Sequence, residues 1–242
     1  MRPLIVATMF LSGCGVIHVP EIAKQYNGQC VDALNGGDLA QADVLCDHAL
    51  SFQEQYWDAL NNKGLIALRR GETQQAKTFF IRAIRANQDM AQAYSNLCRM
   101  ALDVADFTAA RDRCLAALRI NPDFAEARHN LGLAYLRSNR LDDAEKSFRH
   151  LVVSAPTLSS GYASVGAVML LKRRPAEAMP WFDQALQLRV ADPAVWKGKA
   201  WAFEQLGRHD EALEAFSECL SYDRSDLECR QGIERLAGAD SI

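Results

Sequence analysis

From residue 23 onward the apolar and polar positions of this chain repeat every 34 residues, six times over, with no insertion or deletion. Repeats begin at Ala23, Trp57, Ala91, Ala125, Ser159 and Pro193, and can be compared slot by slot. Slot 20 is alanine in all six: Ala42, Ala76, Ala110, Ala144, Ala178 and Ala212. Slot 8 is always small (Cys30, Gly64, Cys98, Gly132, Gly166, Ala200), and slot 24 is Cys46, Phe80, Cys114, Phe148, Phe182 and Phe216. Slot 27 is mostly alanine, and slot 4 mostly aromatic (Tyr26, Tyr94, Tyr162, Trp196). Slots 4, 8 and 11 share one helical face, as do slots 20, 24 and 27, so each repeat predicts two amphipathic helices. Gly37, Gly71, Asn139 and Gly207 occupy slot 15, where a helix can end in the left-handed conformation. A turn near slots 14–17 then makes the two helices antiparallel. Pro180 falls inside the second helix of repeat five and predicts a kink there.

This period and slot set resemble the tetratricopeptide repeat over residues 23–226. The resemblance implies an all-α, right-handed solenoid of six helix-turn-helix repeats (23–56, 57–90, 91–124, 125–158, 159–192 and 193–226). Residues 227–242 start as one more helix of the first type. Arg230, Glu234 and Arg235 make it more polar, as a terminal cap facing water requires.

Seven cysteines punctuate the chain. In repeats one and three, slots 8 and 24 are both Cys; in the other four repeats neither is. In an antiparallel hairpin turning near slot 16 those slots lie opposite each other, which pairs Cys30 with Cys46 and Cys98 with Cys114. Cys219 and Cys229 flank the next turn, near Arg224, and form a third local pair. The alternative is six small thiols filling core slots. A metal site needs three or four converging ligands, and each pair supplies two with no histidine at matching spacing, so no metal is expected.

The seventh cysteine closes Leu11-Ser12-Gly13-Cys14, preceded by one positive charge at Arg2 and an apolar run from Pro3 to Phe10 broken by Thr8. That order is the order of an export signal, and the apolar run is shorter than the ~20 residues that cross a bilayer. It resembles the lipobox of bacterial lipoproteins. The resemblance implies a signal peptide over 1–13, acylation of Cys14, and a tether over 14–22. Gly15, rather than Asp, resembles an outer-membrane address. About nine residues at ~3.5 Å each allow at most ~30 Å between lipid and first repeat.

A formal charge of -3 and a pI near 6.0 give no basic stripe for nucleic acid. No phosphate loop, paired metal histidines or nucleophile elbow is present, so neither an enzyme, a cofactor nor a small-molecule substrate is expected. The first helix offers a second face at slots 5, 9 and 12, about 100° from the seam, which lines the concave groove in the resembled family. Val31, Leu65, Arg99, Leu133 and Trp201 stand at slot 9, and Leu34, Leu68, Leu102, Leu136 and Leu170 at slot 12. This apolar stripe, with Arg69, Asp103 and Arg137 at its edge, suits an apolar or amphipathic partner segment. The alternative for slot 12 is a wide buried arc that a sandwiched helix needs. Asn62, Asn96 and Asn130 at slot 6 are read as structural.

A lipid tether, six such repeats and a cap resemble the pilotins of type IV pilus systems. That resemblance implies a periplasm-facing, outer-membrane lipoprotein that binds a secretin subunit and promotes its localisation and multimerisation. The rival expectation is a lipoprotein scaffold for peptidoglycan enzymes or a periplasmic protease.

Overall fold

The computed structural model describes residues 18–239, and Cys14 with the expected signal peptide lies outside the described residues. Among them are thirteen α-helices and no strand. The chain divides into two compact units, to and from residues 88 and 89. The first holds α1 (Glu21–Gly36), α2 (Leu39–Phe52), α3 (Trp57–Arg69) and α4 (Thr73–Ala86). The second holds α5 (Ala91–Asp103), α6 (Phe107–Ile120), α7 (Ala125–Arg137), α8 (Leu141–Ser154), α9 (Ser159–Leu171), α10 (Pro175–Leu188), α11 (Pro193–Gln205), α12 (His209–Tyr222) and α13 (Leu227–Ala239). Within the second unit each helix packs on the next from α5 to α13, and the first helices also touch in two places, α5 on α7 and α9 on α11. Repeats two to six start their first helix at slot 1. Repeat one starts at Glu21, two residues inside the expected tether, because the Pro20 carbonyl already accepts from the Ala23 and Lys24 N–H groups.

Every hairpin turns in the same way. The slot-16 N–H donates to the slot-11 carbonyl in all six repeats, at 2.8–3.0 Å, as in Asp38 to Ala33 and Arg140 to Tyr135. This closure requires slot 15 to be left-handed. Gly37, Gly71 and Gly207 meet that need freely, but Ala105 (φ 58°), Asn139 (φ 58°) and Arg173 (φ 59°) adopt the same conformation. For Ala105 and Arg173 it costs about 1–2 kcal/mol each, a strain their residue types do not announce. In five of the six repeats slot 16 then starts the second helix by one of two devices, and Glu72 of repeat two uses neither. Asp38 and Asp106 accept from the backbone N–H of Gln41 (2.9 Å) and Ala109 (3.0 Å). Arg140, Arg174 and Arg208 instead pair with Asp143, Glu177 and Glu211 in the first turn, where a carboxylate also meets the positive end of the helix dipole.

The seam between the two helices of a hairpin is where the repeat is most exacting. All six slot-20 alanines have no exposed surface. The slot-24 side chain lands on slot 8, and the two slots change together. Where slot 24 is Phe80 or Phe148, a Cβ on the opposing Gly64 or Gly132 would stand 2.5 or 2.3 Å from the ring. Phe182 lies between Gly166 and Gly198, each of which would put a Cβ 2.8 Å from it. Phe216 faces Ala200 and leans on Gly232 of α13, where a Cβ would come within 2.5 Å. A slot-24 ring therefore needs glycine at its own slot 8 or at slot 6 of the next helix.

Where the ring is absent, the two sulfurs bridge the seam. Cys30 bonds Cys46 and Cys98 bonds Cys114, with Cα atoms 5.4 and 5.3 Å apart, and Cys219 bonds Cys229 at 6.4 Å. All six cysteines are fully buried. Each bridge closes a short loop and contributes roughly 3 kcal/mol in the chain-entropy account. The third ties α12 to α13, whose Leu236 is buried while Glu228, Arg230 and Arg235 stay exposed. Arg235 grips Glu204 through both guanidinium arms at 2.9 and 2.7 Å. Pro180 leaves α10 a single helix from Pro175 to Leu188. It stands in the second turn on the exposed side, so it forfeits one solvent-side backbone bond.

Phe148 has no second glycine to lean on, since the slot-6 residue of the next helix is Ser164. Gly132→Ala is therefore expected to overpack the seam and lower the unfolding free energy by about 1–3 kcal/mol, read as a lower urea midpoint with an unchanged slope.

Candidate functional site: an apolar cavity on the first helices of repeats four to six

On the first-helix side of the second unit, α7, α9 and α11 enclose an open cavity of about 670 Å³, a volume in the range of ligand sites. Leu133 and Leu136 of α7, Leu170 of α9 and Trp201 of α11 form its walls, and Phe182 its floor. Trp201 and Leu171 stand at the mouth, 38% and 57% exposed. Such apolar surface left open to solvent marks an interaction site more often than a packing defect.

The cavity exists because side chains are missing. Repeat five places Ser160, Ala163, Ser164 and Ala167 at slots 2, 5, 6 and 9, all of which line it. The same slots in repeat four carry Glu126, His129, Asn130 and Leu133. Repeat six continues the thin floor with Ala194 and Gly198, and Gly198 is the glycine that seats Phe182. The seam requirement and the cavity thus share a residue.

The ten residues of the expected groove fare differently. Leu133, Leu136, Leu170 and Trp201 converge on the cavity. In the first unit Val31 is 36% exposed and Leu65 and Leu68 are half-buried, while Leu34 is 4% exposed and packs with the Cys30–Cys46 bridge. In the second unit Arg99 is exposed without an ion pair among the described residues, and Leu102 is 4% exposed within the core around Cys98 and Cys114. Leu34 and Leu102 thus belong to the buried arc that slot 12 also admits. Arg69 and Arg137, placed at the groove edge by the sequence, each donate from Nη1 to a carbonyl of the preceding repeat, that of Leu34 and that of Leu102 (the second at 3.3 Å). Both carbonyls already accept a turn N–H, that of Gly37 at 3.2 Å and that of Ala105 at 3.1 Å, so each arginine adds a further bond at the C-terminal end of a first helix, where a cation opposes the dipole.

Sequence reasoning missed the small-residue floor, together with Arg173 and Asp192 at the cavity. Its visible signals are the loss of the slot-6 asparagine in repeats five and six, shared with Gly28 in repeat one, and the alanine that slot 9 carries only in repeat five, Ala167. Elsewhere in the second unit, Cys219, Asp226 and Cys229 bring potential ligand atoms within 4.8 Å of one another. Both sulfurs are joined to each other, and the Asp226 carboxylate accepts from Cys229 N–H (3.0 Å) and Lys197 (2.8 Å), so the cluster is a structural knot.

Sequence models of the tetratricopeptide repeat match residues 58–90, 99–159 and 193–226, together more than half of the chain. This is a tetratricopeptide-repeat protein. None of the curated proteins matches it significantly. Among solved structures, this repeat protein superposes on the pilF protein of Pseudomonas aeruginosa with a TM-score of 0.78 at 17% identity, covering 87% of this chain and 96% of that one. It superposes equally on PilW, a widely conserved type IV pilus biogenesis factor, with a TM-score of 0.78 at 15% identity and coverage of 88% and 98%. The Cut9–Hcn1 hetero-tetramer of the APC/C gives a TM-score of 0.79 at 15% identity, but only 43% of that chain is covered against 90% of this one. At such identities the likeness is one of fold.

On α7, one turn before Leu133, His129 sits with its ring 5.6 Å from Phe148 and its Nδ1 unpartnered among the described residues. Burial holds its imidazole below the ordinary value of 6.5. The unfolded chain therefore binds this proton first as the pH falls. Stability is full above about 6.5 and is lost between that value and the lowered folded one. His129→Gln is expected to flatten the decline of the urea midpoint between about pH 7 and 5; an unchanged decline would assign it to other groups.

Proposed function

We propose that this tetratricopeptide-repeat protein is a lipid-anchored scaffold on the periplasmic face of the outer membrane. Acylated Cys14 moors it, and the first-helix face of repeats four to six holds a segment of an unassembled secretin subunit. It thereby promotes secretin localisation and multimerisation in type IV pilus biogenesis. The observation that carries this reading is the near-complete mutual coverage with pilF and PilW: 87–88% of this chain and 96–98% of theirs. The likeness thus spans nearly the whole of both chains, whereas the matched chain of the Cut9–Hcn1 assembly is covered to only 43%. Two features of the chain agree with an envelope address. Leu11-Ser12-Gly13-Cys14 has the order of a lipobox, and disulfides persist where thiols are exported from reducing compartments.

The cavity supplies the binding chemistry. A single large apolar side chain of the partner, buried between Leu133 and Trp201, contributes roughly 1.5–3 kcal/mol. Release follows when that side chain is claimed by neighbouring subunits of the multimer.

Ala167→Trp fills the cavity with a residue the helix already accepts at this slot in repeat six, as Trp201. In the native host it should leave a folded, anchored protein and strongly reduced heat-resistant secretin multimers; Cys14→Ser should lose both anchoring and multimers. Normal multimers in both strains would contradict the reading. Recovery of peptidoglycan hydrolases or a protease, in place of secretin, from detergent-solubilised envelope would assign the scaffold to the rival partner class.

A further inference from the structure

Lys172, Arg173 and Arg174 are three consecutive cations at the turn of repeat five, and two of them are neutralised within the chain. Lys172 is held by Asp142 (2.5 Å) and Glu145 (2.8 Å), and Arg174 meets Glu177 through two hydrogen bonds of 2.6 Å. Arg173 is exposed and makes no ion pair or hydrogen bond from its guanidinium among the described residues, and it alone of the three lines the cavity. It is also the one cation in that lining. The one anion there, Asp192, is already engaged, accepting from Ala194 N–H at 3.2 Å and lying 3.9 Å from Arg189.

Arg173 is furthermore held in the left-handed conformation that Gly37, Gly71 and Gly207 adopt at the same slot without a side chain. A long charged residue is a poor choice for that backbone. The hairpin imposes this backbone at Ala105 as well, so it is the free charge at the cavity rim, and not the strain, that points to a ligand. Apolar walls, a floor stripped of side chains and an uncompensated guanidinium at the rim together define one ligand chemistry.

We propose that the cavity takes an acidic–apolar peptide segment: an apolar side chain enters between Leu133, Ala167 and Trp201, while a carboxylate a few residues away in the same segment pairs with Arg173. This rests on the reading that the cavity holds a protein partner, and it adds what that partner must carry. Both parts are needed, since a guanidinium–carboxylate pair open to solvent contributes little, and its contribution grows when an anchored segment shields it.

The test pans a phage library of random dodecapeptides against the purified protein at low salt. A synthetic copy of the enriched peptide is then titrated against wild type, Arg173→Gly and Ala167→Trp. The expected enrichment pairs a large apolar residue with Asp or Glu nearby. Arg173→Gly relieves the backbone strain and removes the charge together, so its thermal midpoint should rise while its affinity falls about five- to tenfold. Changing the peptide's acid to its amide should weaken binding to wild type by the same factor and leave binding to Arg173→Gly unchanged. Enriched peptides without acids, no enrichment at all, or equal affinity of Arg173→Gly for the acidic peptide would overturn the proposal. Binding of oleate in place of any peptide would overturn it in favour of a lipid site. Ala167→Trp separates the two readings: if it binds peptide as wild type does, the cavity is not the partner site, whatever Arg173 contributes.

Discussion

The contact between slot 8 of a first helix and slot 24 of its partner governs the rest of this structure. It decides how closely the two helices of a hairpin approach, and the chain satisfies it in only two ways. A phenyl ring can fill the space if glycine vacates it, as Phe148 does over Gly132, or two sulfurs can bridge it, as in Cys98 and Cys114. Either arrangement fixes the register of slot 20, and the fully buried alanines follow. With the seam set, the slot-16 N–H must reach the slot-11 carbonyl, and slot 15 must become left-handed whatever residue stands there.

That order of causes explains what could be read from the sequence. Repeat boundaries, the pairing of helices and the opposition of Cys30 to Cys46 follow from slots that tolerate alanine alone, as slot 20 does, or a matched pair of residues, as slots 8 and 24 do. Packing there leaves no alternative, so residue type and structure correspond. The left-handed turns at Ala105 and Arg173 were not legible, because the backbone is imposed by the hairpin and overrides the preference of the residue. Slot 12 was only half legible. Leucine fills it in repeats one to five, yet Leu34 and Leu102 are core while Leu136 lines the cavity. An apolar residue serves both places, and periodicity alone cannot separate them.

The cavity was hidden for a different reason. Sequence reasoning looked for bulky apolar residues on an open face, whereas the site is made by residues that withdraw: Ser160, Ala163, Ser164 and Ala167 on one helix, Ala194 and Gly198 on the next. Gly198 also seats Phe182, so the demand for a closely packed seam helps to open the space on the other side. The functional surface is in this sense a by-product of hairpin packing, refined by the substitution of small residues and by one strained, uncompensated arginine at the rim.

The central claim is the local pairing of slots across each hairpin, and the cysteines report it directly. Protein isolated from its native host, with free thiols blocked before lysis, can be digested without reduction and its cross-linked peptides identified by mass spectrometry. The account predicts Cys30 joined to Cys46, Cys98 to Cys114 and Cys219 to Cys229, with no blocked thiol at those six positions. Free thiols there, or bridges that join one repeat to another in place of these pairs, would contradict it.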